Sequence, residues 1–143
     1  MDDRTRRDIE HDCERLCHRY SHVIDFGEAA SVADLFHDDG LWKTPEAEHV
    51  GKPAILKAFT ARQANARRMS RHVCSTVVIH VADADHASGV TYIQLYRHDA
   101  EPGRRVSPLA DQPVIVGEYH DTFLRTPEGW RFDRREFRAA CVR

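Results

Sequence analysis

Two residues of this chain combine an unusual sequence position with side chains that can do acid–base chemistry: Asp25 and His72. Asp25 ends an amphipathic stretch that begins at Ile9, so its carboxylate faces the negative end of the predicted helix dipole, which is mildly unfavourable. His72 opens a strand-like run, 72–79, whose packing does not need an imidazole. If the fold brings both into one pocket, His72 could act as a base and Asp25 as the carboxylate that orients it.

Each of these residues also has an ordinary structural explanation. Aspartate at a helix end is commonly exposed, and a histidine at the edge of a core is intermediate in burial. Side chains alternate along a strand, so one face would carry His72, Cys74, Thr76 and Val78, and the other Arg71, Val73, Ser75 and Val77. The residues alone do not decide which face lines a pocket.

Tyr20 lies five residues before Asp25, on the apolar stripe of the same predicted helix. Its hydroxyl could hold a substrate carbonyl or assist a leaving hydroxyl, although any buried tyrosine needs a hydrogen-bond partner. Five residues rotate by about 140° on an ideal helix, so Tyr20 and Asp25 converge only if the helix ends near Asp25. Gly27 favours such an end.

Histidines at i and i+4 on a helix can share a metal ion, and His18 and His22 have this spacing. His11 is seven residues before His18, and Asp25 lies one turn beyond His22. No fixed carboxylate signature accompanies them, so we expect no metal site.

The composition limits the classes of partner. The chain has 143 residues with 41% hydrophobic content, which suits a single domain spanning 1–143. Its 21 basic and 23 acidic residues are spread along the sequence, giving a net charge of −2 and no footprint for nucleic acid. The basic cluster of Arg67, Arg68 and Arg71 is typical of a solvated rim.

No segment approaches the roughly 20 apolar residues of a membrane span, and the polar N-terminal residues are not typical of a signal peptide. We therefore expect a cytoplasmic protein with no membrane partner. The four cysteines lack the spacing of a disulfide framework or a zinc ribbon, so they are interpreted as reduced thiols at core positions: Cys13, Cys17, Cys74 and Cys141.

Hydrophobic periodicity predicts helices over 5–24, 28–36 and 52–66, with Asp38, Asp39 and Gly40 closing the second. Residues 41–43 form a predicted short strand that pairs near His49 and Val50. Longer β-rich segments follow at 71–81, 87–97, 114–125 and 130–142. Helices followed by consecutive strands indicate an α+β domain with an antiparallel sheet. The connection 101–113 has a length typical of lids or binding loops, or of a disordered hairpin tip.

Several motifs occur in an order that resembles the SnoaL-like branch of the nuclear transport factor 2-like superfamily over about residues 8–138. They are Tyr20 with Asp25, LFHDDG at 35–40, GKPAI at 51–55, Arg71-His72, GEYHD at 117–121 and GWRF at 129–132. The resemblance implies a cone-shaped barrel, in which a strongly curved antiparallel sheet wraps around three helices and a deep pocket opens between them.

Scytalone dehydratase, a bacterial bile acid dehydratase and hexachlorocyclohexane dehydrochlorinase are lyases of this superfamily. The resemblance implies that Asp25 orients His72, and that Tyr20 and Arg135 match a pocket tyrosine and a last-strand arginine of the bile acid enzyme. It also implies that the face carrying His72 lines the pocket. The pattern departs where the bile acid enzyme has a further acidic residue and this chain has Leu95. His98 and His120 are only candidates for the second histidine of scytalone dehydratase.

Strand alternation places Arg135 with Arg131, Asp133 and Phe137, opposite Trp130, Phe132 and Arg134. Either Arg134 or Arg135 could face inwards, where an arginine would be costly unless it meets Asp25, a substrate anion or a leaving group. A surface arginine at the sheet rim is the alternative.

Six aromatic residues are expected to shape the substrate pocket, although aromatic residues in a fold of this size are mostly core: Phe26, Trp42, Phe59, Tyr92, Tyr119 and Phe137. The resemblance implies a small lyase of the dehydratase type, acting without a cofactor on a small hydrophobic molecule. An isomerase or cyclase would use the same dyad. A non-catalytic binding module, or a subunit like the β subunit of ring-hydroxylating dioxygenases, is the other alternative. For an enzyme we expect a homodimer or homotrimer.

Overall fold

A computed structural model describes residues 1–102 and 113–142 of the chain. These residues form three helices, which are α1 (Asp3–Asp25), a 3₁₀ helix (Ala29–Leu35) and α2 (Lys52–Ala64). They also form six strands, which are β1 (Phe36–Lys43), β2 (Glu48–Val50), β3 (Arg68–Val81), β4 (His86–Asp99), β5 (Ile115–Thr126) and β6 (Gly129–Val142).

The strands make one curved, unclosed sheet in the order β2-β1-β6-β5-β4-β3. The predicted α+β class, with helices from the first half of the chain packed on a curved sheet, is confirmed. The expectation of a wholly antiparallel sheet is wrong at one place, because β1 and β6 run parallel. A parallel pair needs a long crossover, and here residues 44–128 lie between the two strands.

Helix α1 begins where Asp2 caps it, since a carboxylate oxygen of Asp2 accepts a hydrogen bond from the Thr5 amide at 2.8 Å. Its apolar stripe is buried against β3 and the 3₁₀ helix. The helix ends at Asp25, and Gly27 turns the chain with a φ of 85°. Glycine adopts this left-handed conformation without steric cost, so Gly27 lets the chain leave the helix directly after Asp25 and Phe26.

The predicted second helix differs from the structure in type and extent. It is a 3₁₀ helix that ends at Leu35, and the DDG motif lies inside β1 instead of closing a helix. The pairing of β1 with β6 shifts in register between Phe36 and Leu41. Gly40 permits this irregularity, because a Cβ there would lie 2.9 Å from the carbonyl oxygen of His37. The predicted pairing of residues 41–43 with His49 and Val50 is confirmed.

Register shifts also change which side chains of β3 and β6 face inwards. In β3 the shift lies at Thr76, which has a φ of 49°, so Val78 is exposed and Ile79 packs on the core. The expected face that groups Thr76 and Val78 with His72 is therefore wrong beyond Cys74. In β6, Asp133 is the extra residue, and Phe132 and Arg135 are both buried. A bulge breaks the two-residue period in this way.

The thiols differ in environment. Cys13 and Cys17 are buried and Cys74 is partly buried, whereas Cys141 is exposed near the end of β6. The core interpretation is thus wrong for Cys141.

No helix among the described residues is long and apolar enough to cross a membrane. Most of the predicted 101–113 loop lies outside the described residues.

Candidate active site

A pocket of about 340 Å³ opens between the helices and the concave face of the sheet. Its walls are mostly apolar, and the polar groups on them include the imidazole of His72 and the hydroxyls of Tyr20 and Ser70. The lining residues are Tyr20, Ile24, Trp42, Thr44, Pro45, Glu46, Ala58, Phe59, Arg62, Ser70, His72, Ile93, Leu95, Arg97, Ile115, Tyr119, Phe137, Ala139 and Val142.

The structure brings Asp25 and His72 into direct contact. Nδ1 of His72 lies 2.7 Å from Oδ1 of Asp25, and the backbone amide of His72 donates to Oδ2 at 2.7 Å. The side chains are 10% exposed for His72 and 6% for Asp25. The two hydrogen bonds fix the imidazole ring against the end of α1. With Nδ1 held by the carboxylate, Nε2 is the ring nitrogen that remains for a molecule in the pocket.

Ser70 and Arg62 extend this hydrogen-bonded group and were missed in the sequence. The Ser70 hydroxyl donates to Oδ1 of Asp25 at 2.7 Å, and Nη2 of Arg62 donates to the Ser70 hydroxyl at 3.1 Å. Ser70 precedes His72 by two residues, so strand alternation places both side chains on the concave face. That spacing could have revealed Ser70. Arg62 carried no comparable signal, because its position depends on how α2 packs over the sheet.

The Asp25 carboxylate is held in its ionised form. Burial by itself raises the pKa of Asp25, but hydrogen bonds from His72 and Ser70 and the charge of His72 outweigh burial and lower it below the ordinary 3.8. An ionised Asp25 can accept the Nδ1 proton of His72 and stabilise a positive charge on the ring.

Substitution of Asp25 by Asn is expected to destabilise the fold in a pH-dependent way. The carboxylate pKa is lower in the folded state, so its stabilising contribution is complete above 3.8 and disappears as the pH falls through the folded-state pKa. We expect a loss of about 2 kcal/mol at pH 7, shrinking below pH 4. Urea unfolding at several pH values measures it, with exposed Asp39→Asn as the control. A difference independent of pH would contradict the carboxylate's role.

Tyr20 lies at the base of the pocket among aromatic rings. Its hydroxyl accepts a hydrogen bond from Nε1 of Trp42 at 3.0 Å, and its ring makes edge contacts with Phe59 and Tyr119. Burial raises the pKa of Tyr20 to about 12. The hydroxyl therefore keeps its proton at neutral pH and can donate it in a hydrogen bond.

Arg135 is the inward arginine, since it is fully buried whereas the side chain of Arg134 is 42% exposed. It does not line the pocket. Its guanidinium lies between the rings of Tyr20 and Tyr119, 4.4 and 4.1 Å from their centroids, and forms a double hydrogen bond with Asp121. Burial alone would lower the pKa of Arg135, but Asp121 raises it above the ordinary value. The expectation that Arg135 contacts substrate is therefore corrected. Its guanidinium instead packs against the Tyr20 ring on the side away from the pocket.

Asp121, the partner of Arg135, was not predicted. It is 4% exposed and directly opposite Arg135 in the β5–β6 pairing. Its alternation with Tyr119 and Phe123 on β5 was the signal that could have found it.

Four of the six predicted aromatic residues line the pocket, namely Trp42, Phe59, Tyr119 and Phe137. Phe26 and Tyr92 do not. Phe26 follows the end of α1, is 63% exposed and stacks on His22. Tyr92 is 53% exposed because it points to the convex face of β4, in alternation with buried Thr91 and Ile93. Both expectations are corrected on this placement.

The remaining histidine candidates lie elsewhere. His98 is exposed, and His120 is paired with Glu118 at 3.6 Å outside the pocket. His18 lies 3.6 Å from Glu14 on exposed α1 surface. Leu95 stands directly opposite His72 in the β3–β4 pairing and lines the pocket, so an apolar side chain occupies the place beside the imidazole.

The sequence matches the SnoaL-like domain family over residues 5–136. The chain belongs to the SnoaL-like family. No curated protein sequence gives a significant match to this SnoaL-like protein. The family assignment agrees with the order of motifs and with the helices and sheet that position the pocket.

Solved structures share the fold of this SnoaL-like protein. A scytalone dehydratase-like protein from Novosphingobium aromaticivorans has 22% identity and a TM-score of 0.79, covering 96% of this chain and 87% of its own. A type 2 hexachlorocyclohexane dehydrochlorinase has 14% identity and a TM-score of 0.78, with 98% and 90% covered. A protein assigned as the β subunit of an aromatic-ring-hydroxylating dioxygenase from N. aromaticivorans has 17% identity and a TM-score of 0.76, with 94% and 90% covered.

Proposed function

We propose that this SnoaL-like protein is a cofactor-independent lyase of the dehydratase type that acts on a small, largely apolar molecule. The observation that carries the proposal is the direct contact between Asp25 and His72 at the wall of a mostly apolar pocket. A histidine oriented by a buried carboxylate can act as a general base. The likeness of fold to dehydratase-type proteins supports the same reaction class.

In the proposed reaction, Nε2 of His72 removes a proton from a carbon next to a carbonyl or similar activating group. The C–H electron pair becomes the new C=C bond as the leaving group departs from the neighbouring carbon with its own bonding pair. A departing hydroxide takes up a proton and leaves as water, and the imidazolium can supply that proton. No oxidant or reductant is consumed, so His72, Asp25 and a hydrogen-bond donor suffice for the elimination.

Tyr20 would supply that donor. Its hydroxyl keeps its proton because burial raises its pKa, and Trp42 donates to the same oxygen. A hydroxyl that accepts one hydrogen bond is polarised to donate another. It would hold the substrate carbonyl as negative charge develops there.

Substitution of Tyr20 by Phe is expected to lower turnover about 10²-fold, the effect of losing one donor to a developing oxyanion. It should also cost about 1–2 kcal/mol of stability, since Trp42 Nε1 loses its acceptor. Steady-state kinetics and urea unfolding measure the two effects. Tyr92→Phe, outside the pocket, is the matched control. Loss of stability with unchanged turnover would restrict Tyr20 to a structural role.

An isomerase or cyclase would begin with the same proton abstraction and differ in the fate of the carbanion. Product analysis separates these reactions, since elimination releases water or a halide ion. Isomerisation returns the proton to another carbon, and cyclisation forms a ring bond.

A non-catalytic subunit is the second candidate, and the fold shared with a dioxygenase β subunit favours it. Native mass spectrometry of the purified chain, and of the same chain isolated from its host, distinguishes the two proposals. A homodimer or homotrimer agrees with the enzyme, whereas an obligate complex with an iron–sulfur α subunit would support the subunit.

The proposal is tested with a panel of β-hydroxy ketones, β-hydroxy acids with an activated α-carbon, and chlorinated cyclohexanes. Formation of the alkene is followed for every compound, together with release of chloride from the chlorinated cyclohexanes. Turnover by the wild-type chain that disappears in His72→Gln supports the proposal. Equal turnover by both proteins would contradict it.

A further inference from the structure

We infer that the substrate of this pocket carries an anionic group, best matched by a carboxylate, which Arg62 and Arg97 bind at a fixed distance from His72. The inference rests on the proposed function, because it names a substrate class for the same pocket. Both arginines are among the residues that line the cavity.

Arg97 reaches the pocket because of its register on β4. It alternates with Ile93 and Leu95, which are buried on the concave face, and all three line the cavity. In the β3–β4 pairing Arg97 stands directly opposite Ser70. On β4, Arg97 therefore places a positive charge beside Ser70. Leu95 and Ile93, on the same face of the strand, form the apolar wall next to it.

Arg62 approaches the same point from the other side. It lies in the last turn of α2, and its Nη2 donates to the Ser70 hydroxyl at 3.1 Å. One guanidinium carries five N–H donors, so most of those of Arg62 remain for a ligand. Burial lowers the pKa of Arg62, as do the positive charges of Arg68 and Arg97, and the negative charges of Asp25 and Asp99 offset this only in part. A bound anion would relieve both the desolvation and the repulsion.

Neither arginine has a carboxylate within ion-pair distance among residues 1–102 and 113–142. Arg68, by contrast, has one, since it forms a double hydrogen bond with Asp99. Glu46 also lines the cavity, from the β1–β2 connection, but it pairs with neither Arg62 nor Arg97 in the described residues. Partly buried Arg62 and exposed Arg97 thus present two positive side chains to the cavity, neither of them ion-paired within the described residues, and such a pair is suited to an anionic ligand.

The geometry also sets the length of the substrate. Ser70 and His72 are two residues apart on one strand, which corresponds to about 7 Å. If the anionic group of the substrate binds beside Ser70, its reacting carbon lies near Nε2 of His72 only when a few bonds separate that carbon from the anionic group. Leu95 and Ile93 line the wall beside that path, so the connecting part of the molecule should be apolar.

The test uses binding instead of turnover. Phenylacetate, 3-phenylpropionate and cinnamate are titrated into the full chain by calorimetry, each against its neutral primary amide. We expect at least one carboxylate to bind about tenfold tighter than its amide, the effect of a charge-assisted contact. Arg97→Gln should abolish that preference and Arg62→Gln should reduce it.

Arg71→Gln is the matched control, because Arg71 is an exposed arginine on the same strand as Ser70, facing outwards over the ring of Phe26. It should keep the preference for carboxylates. His72→Gln should keep it too, so the anion site and the base can fail independently. If no carboxylate binds tighter than its amide, or if Arg97→Gln and Arg71→Gln weaken the preference equally, the substrate class is wrong whether or not His72 is a base.

Discussion

Substitution of His72 by Gln is expected to lower turnover about 10³-fold, within the range that a positioned general base contributes. Glutamine keeps a polar side chain of similar length but cannot take up a proton near neutral pH. Asp25→Asn should cause a loss of about 10²-fold or more, because an asparagine can donate its amide to Nδ1 and so favour the wrong tautomer of His72. Initial rates on the best substrate of the panel measure both effects.

His80→Gln provides the matched control for His72, since His80 is an exposed histidine on the same strand. Its turnover should equal that of the wild-type protein. Unfolding curves for each variant separate lost chemistry from lost structure. A His72→Gln protein that is folded and as active as His80→Gln would exclude His72 as the base.

Substitution of Asp121 by Asn is expected to cost about 3–5 kcal/mol of unfolding free energy, the typical effect of removing one partner from a buried ion pair. Both side chains of the Asp121–Arg135 pair are 0% exposed, so the remaining guanidinium would keep a buried charge without its carboxylate. Nη1 of Arg135 already has no hydrogen-bond partner among the described residues. Equilibrium unfolding in urea measures the loss.

Arg134→Gln is the control for this pair, because Arg134 forms a half-exposed ion pair with Glu136 on the same strand. Such surface pairs contribute about 1 kcal/mol or less. The double substitution Asp121→Leu with Arg135→Met should recover part of the stability, since it removes both buried charges. Equal losses for Asp121→Asn and Arg134→Gln would contradict the importance assigned to the buried pair.

The elements that carry the dyad could be predicted because their signals are local. The apolar stripe of α1 and the position of Gly27 locate the helix end at Asp25, and the β-rich run after residue 70 locates the strand of His72. The motif order then identified the family, which the match over 5–136 establishes. Helix geometry separates Tyr20 and Asp25 by about 140°, so their convergence on one pocket stays a prediction.

The features that were missed depend on contacts between distant parts of the chain. Simple alternation put Phe132 and Arg135 on opposite faces of the sheet, but a bulge at Asp133 buries both. Alternation also put Val78 on the face of His72, but a bulge at Thr76 exposes Val78. The partner of Arg135 is set by pairing of β5 with β6. The parallel contact of β1 with β6 joins residues almost a hundred positions apart, and no local period encodes it.

The most direct test of the account is the protonation state of His72 in the free protein. Nitrogen-15 NMR of labelled imidazoles, assigned with His72→Gln, reports which ring nitrogen of the neutral imidazole carries the proton. The contact with Asp25 predicts a proton on Nδ1 of His72 and an unprotonated Nε2 that faces the pocket. In Asp25→Asn the proportions of the two His72 tautomers should change. A proton on Nε2 in the wild-type protein would contradict the assignment of His72 as the base.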